Sequence, residues 1–87
     1  MTKDEQIRRG EAAKRLLEDP ILIESLETLE RTYLESWRRT EPKDVEGRER
    51  LWIALQVAGE FVRNLRAVAD SGELAHAQVE RIKGKKV

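Results

Sequence analysis

The chain contains no cysteine, which removes disulfides as a source of stability and rules out a thiolate zinc site. Proline occurs twice and glycine five times. The glycines do not cluster. Gly47 and Gly59 stand alone, so no glycine-rich loop is present to cradle a phosphate. One histidine, with no cysteine and no serine in an elbow-like context, leaves no nucleophile–base pair of the usual kinds. No apolar run approaches the ~20 residues of a membrane span. The first residues, MTKDEQIRRGEAAKR, are charged throughout and carry no apolar signal core. These absences lead us to expect a cytoplasmic protein that is not an enzyme and uses no cofactor or metal.

Net charge of one sign is also missing. Seventeen basic and seventeen acidic residues cancel, while 39% of the chain is charged. Such a surface is solvated and mixed, unlike a nucleic-acid footprint. Arg8, Arg9, Lys14 and Arg15 are diluted by Glu5, Glu11 and Glu18. Only the end, RIKGKKV, leans basic, and Lys83 to Lys86 is the one place where phosphates could be touched. Without a helix-turn-helix signature or an aromatic stacking platform, nucleic-acid binding is not the expected role.

What remains is helix. Four segments read as helical and none as a strand, so an all-α fold is expected. A short N-terminal helix falls within 1–18, where Thr2 and Glu5 have capping-box spacing and Gly10 weakens the middle by roughly 1 kcal/mol. Asp19-Pro20 then marks a new start, because proline suits the first helical position and aspartate caps the free amides. In the segment 20–39, Leu22, Leu26, Leu29, Tyr33 and Trp37 recur at helical spacing. Glu27–Arg31 and Glu35–Arg39 have the spacing of surface ion pairs. The segment TEPKDVEG is the loop, with Asp44 as the next cap. A connection this short predicts an antiparallel hairpin of 20–39 with 45–70. Gly72 predicts a left-handed stop, followed by a short C-terminal helix at 73–83 and a basic tail at 84–87.

The 45–70 segment has more apolar surface than one neighbour covers. Leu51, Leu55, Ala58, Val62, Leu65 and Ala69 form a seam of coiled-coil type. Ala54, Val57, Phe61 and Val68 make a second row, and together they span about 160° against the ~100° that a core-facing stripe needs. Trp52 falls outside that arc. A single domain of 87 residues buries only roughly 60–65% of its unfolded surface, so a partner subunit is a natural complement. Leu22, Leu26, Leu29, Tyr33, Leu51, Leu55 and Val62 are therefore assigned to the core. Trp52, Val57, Phe61 and Val68 are assigned to an interface that completes the fold by homo-oligomerisation.

One constellation could hold a metal: Glu73-Leu-Ala-His76 has the Glu-x-x-His spacing of helical carboxylate sites, with Glu60 or Glu80 as further ligands. An exposed histidine beside Glu80 explains the same residues more simply. Arg48, Arg50 and Trp52 together could form a compact patch for a host protein or a nucleotide, which would suit a small inhibitor or anti-defence module.

Several of these elements occur in combination. Leu16-Leu17 with Asp19-Pro20, Trp37, the run from Gly47-Arg48-Glu49 to Leu51-Trp52, and Ser71-Gly72 together span about residues 11–77. In this combination the chain resembles small, mostly uncharacterised helical proteins of tailed bacteriophages and prophages, encoded among virion-structure and DNA-packaging genes. The resemblance carries no catalytic residues. It implies a role in assembly, packaging or ejection, with other phage structural or packaging proteins as partners, in the host cytoplasm or the virion. A DNA-binding ring of the terminase kind is a further alternative.

Overall fold

The computed structural model describes residues 1–84, and among these all regular structure is helical. There are three helices: α1 (Lys3–Glu18), α2 (Pro20–Arg39) and α3 (Val45–Gly84). Each begins at a side chain able to satisfy the amides that a first turn leaves free. Thr2 Oγ1 accepts from the Glu5 amide at 3.2 Å. Asp19 Oδ1 accepts from Ile21 at 2.8 Å and Leu22 at 3.1 Å, with Pro20 in the first turn. Asp44 Oδ1 accepts from Gly47 at 3.0 Å. We expect Asp19→Ala to lower stability by about 1 kcal/mol and Asp19→Asn to retain most of it. Paired urea titrations would check this, and equal midpoints for the two variants would contradict it.

The end of α2 is tied down by a short polar relay. Arg48 Nη1 donates to Thr40 Oγ1 at 3.2 Å, and that hydroxyl donates to the Trp37 carbonyl at 2.6 Å. The Arg48 guanidinium also lies over the Trp37 ring, 4.1 Å from its centroid. Each bond in the relay orients the next, and the cation–π contact adds roughly 0.5–1 kcal/mol at a partly exposed site. These contacts hold the first turn of α3 against the last turn of α2.

The chain divides into two compact units, one of Asp19–Val62 and one of Met1–Glu18 with the chain from Arg63 onward. In the second of these, α1 meets the later part of α3 through its smallest residues. Gly10 and Ala13 are buried on α1, and Ala69, Gly72 and Ala75 on α3. A Cβ built on Gly10 would stand 2.6 Å from Gly72 Cα, and one built on Gly72 would stand 2.6 Å from Gly10 Cα. The two backbones therefore touch here, and neither position has room for a side chain.

That contact corrects the expected break at Gly72. Instead of separate helices at 45–70 and 73–83, α3 runs unbroken for 40 residues. Gly72 does not adopt positive φ, so it makes no left-handed stop. Glu73, Leu74, Ala75, Ala77 and Gln78 after it are good helix formers, with no proline among them to end the ladder. Gly10, expected only as a weak point in α1, is the other half of the same contact. Of the expected basic tail, Gly84 closes α3, while Lys85, Lys86 and Val87 lie outside the described residues. The pairs Glu27–Arg31 and Glu35–Arg39 are not among the ion pairs of the described residues, which join His76 and Lys83 to Glu80. Exposed pairs gain little in water against the entropy of fixing two long side chains.

Candidate interaction surface

Two helices packed side by side cover only one seam of each other, so a wide apolar arc must keep a flank open. In the Asp19–Val62 unit the consequence is clear: its one buried apolar residue is Ala58. The residues expected to form the core are only partly covered. Leu22, Leu26 and Tyr33 on α2, and Leu51, Leu55 and Val62 on α3, are half-buried. Leu29 is 39% exposed. The physical reason is again that each leucine has a neighbour on one side only.

The open side is a groove of about 530 Å³. Leu22, Ser25, Leu26, Leu29 and Tyr33 line it from α2, and Ala54, Val57, Ala58 and Phe61 from α3. None of these side chains is charged, in a chain that is 39% charged. Val57 is 59% exposed and Phe61 49%, although each would stabilise the fold by ~1.5–3 kcal/mol if fully covered. The opposite flank of the same helix pair differs. There Leu34 and Leu55 lie among Glu27, Glu30 and Arg31, and long charged side chains can lay their stems over the exposed carbon.

The four residues assigned to an interface do not form one patch. Val57 and Phe61 share the groove. Trp52 is 56% exposed but lies about 140° around α3 from Val57, at 100° per residue. Val68 is half-buried in the other unit, where it lines a recess with Met1, Gln6 and Arg9. Sequence reasoning missed Ile21, which is 69% exposed on α2 beside Leu29 and Ser25. Its off-stripe position was the available signal, because an isoleucine outside the core face has no partner within its own helix pair.

Glu73 and His76 line a separate recess of about 250 Å³ with Ile7, Gly10, Glu11 and Lys14. His76 Nε2 lies 3.9 Å from Glu80 Oε1, and both side chains are exposed. Among the described residues no group of three or more His, Asp or Glu side chains is arranged to hold a metal. The Arg48, Arg50 and Trp52 grouping loses a member, because the Arg48 guanidinium is engaged by Trp37 and Thr40. Among the described residues, no helix is long and apolar enough to cross a membrane.

No protein-family model, curated protein or solved structure matches the chain.

Proposed function

We propose that this protein is a non-enzymatic helical interaction protein whose fold is completed by copies of itself. In this reading α2 and the first half of α3 form an antiparallel hairpin, and a second chain closes the groove between them. The observation that supports it most is the pairing of a groove without charge with exposed Val57 and Phe61. Exposed apolar surface bordered by polar residues marks a contact site on a protein that is otherwise well solvated. Homo-oligomers most often close such surfaces on themselves through a two-fold axis.

We place its role in virion morphogenesis of a tailed phage, as a head, packaging or ejection accessory in the host cytoplasm or the virion. The support is the combination of Leu16-Leu17, Asp19-Pro20, Trp37, the Gly47–Trp52 run and Ser71-Gly72. Affinity purification of the tagged chain from phage-producing cells tests this role. Recovery with capsid, portal or terminase proteins is the expected result. Stoichiometric recovery with a host enzyme would overturn it in favour of an inhibitor.

A further inference from the structure

The two units are held by side chains of different size. All the aromatic residues, Tyr33, Trp37, Trp52 and Phe61, fall within Asp19–Val62, where half-buried Leu22, Ile23, Leu26, Leu51 and Leu55 accompany them. The unit of Met1–Glu18 and the chain from Arg63 onward has no Phe, Trp or Tyr. Its buried positions are Gly10, Ala13, Ala69, Gly72 and Ala75, flanked by half-buried Ile7, Leu17, Leu65, Val68 and Val79. A buried alanine withdraws one methyl group from water, and a leucine or an aromatic ring withdraws several times as much area. Polar contacts divide in the same way. The Arg48–Thr40–Trp37 relay joins α3 to the end of α2. Among the described residues, no side-chain hydrogen bond or ion pair joins α1 to α3.

We propose that the unit of α1 and the later part of α3 is a clasp that opens and closes as one step while Asp19–Val62 stays folded. Its two strands of helix depend on each other. Most helical stability in a protein comes from packing an apolar face, and α1 carries Gly10 near its middle. Once α1 leaves, the α3 residues after Val62 have no other neighbour within their unit, so both lose order together. The joint at Asp19 is ready for this. Asp19 is extended, with φ −71° and ψ 118°, and its carboxylate caps α2. The first turn of α2 therefore keeps its cap when α1 departs. On the other side, α3 shortens toward Val62 by losing successive helical hydrogen bonds, as helix ends do in local opening. Closing is also undemanding, because buried glycine and alanine give up no side-chain freedom. A modest gain in burial then suffices to hold the clasp shut. Opening releases α1, an arm of 16 residues tethered at Asp19, and uncovers the α3 strip of Val68, Ala69, Gly72 and Ala75. The inference stands apart from the self-association proposed above.

The placement of the tryptophans makes the test direct. Trp37 and Trp52 both lie in Asp19–Val62, so tryptophan emission reports that unit alone. The clasp holds half of the helical residues, so far-ultraviolet circular dichroism reports both units. Urea titration of the full chain is followed by the two signals on the same samples, since two probes of a single cooperative transition must coincide. The expected result is loss of about half the helical signal at urea concentrations that leave tryptophan emission unchanged. The remaining helical signal should then fall together with the emission. Gly72→Leu should move the first step to lower urea and leave the emission midpoint in place. Dilution separates this from self-association: closure of the groove by a second copy makes the emission midpoint depend on protein concentration, while the first step stays fixed. Superimposable transitions in the wild-type protein would overturn the clasp, as would a Gly72→Leu protein whose two midpoints fall by the same amount.

Discussion

On the proposed self-association, Phe61→Glu is expected to yield a monomer that remains helical. Phe61 is 49% exposed on the rim of the groove, so the glutamate can remain hydrated in a free chain. In the assembly the same carboxylate would enter an uncharged groove, where desolvation opposes it. The expected loss of association is roughly 2–4 kcal/mol, or about 30- to 700-fold in Kd. Val57→Asp should act in the same direction. Glu30→Gln, on the charge-rimmed flank, should leave the mass unchanged. Light scattering with circular dichroism separates the outcomes, and a Phe61→Glu protein that keeps the wild-type mass would remove the groove from the interface.

The second large effect belongs to the contact between α1 and α3. Gly72→Leu should detach α1, because Gly10 Cα lies 2.6 Å from where a Cβ would stand and backbone cannot yield as a flexible side chain does. Overpacking of this kind costs ~1–3 kcal/mol and sometimes more. Gly10→Ala sets two effects against each other. It gains about 1 kcal/mol of helix propensity and meets Gly72 Cα at 2.6 Å. The steric effect should win, leaving a net loss. Gly84→Ala is the control, since a Cβ there meets nothing within 4 Å. Hydrogen exchange should show lost protection over Ile7–Leu17 in Gly72→Leu, with α2 amides unchanged. Retained protection of α1 would contradict the assignment.

These two sites also show which parts of the structure were readable from the chain. The starts at Thr2, Asp19-Pro20 and Asp44 are legible because a cap acts on amides two or three residues away, within the reach of local sequence. The all-helical class follows from the 3.6-residue periodicity of Leu22, Leu26, Leu29 and Tyr33 in the same way. Gly72 was not legible. A glycine near a plausible helix end looks alike whether it turns the chain or admits another backbone, and the deciding neighbour, Gly10, lies 62 positions away in the sequence. Placement of the candidate site was partly legible. The width of the apolar arc on α3 put Val57 and Phe61 together on its second row. It could not separate Val68, because that residue meets α1, nor locate Trp52, because an off-arc position does not name its neighbour.

The central claim is that the apolar flank of Asp19–Val62 is sheltered by a second copy of the chain. Mass in solution over a concentration series, by sedimentation equilibrium of the unmodified protein, tests this most directly. The account predicts at least twice the 10.1 kDa chain mass, falling toward a single chain only on dilution. A well-folded species of one chain mass, unchanged up to high concentration, would contradict it.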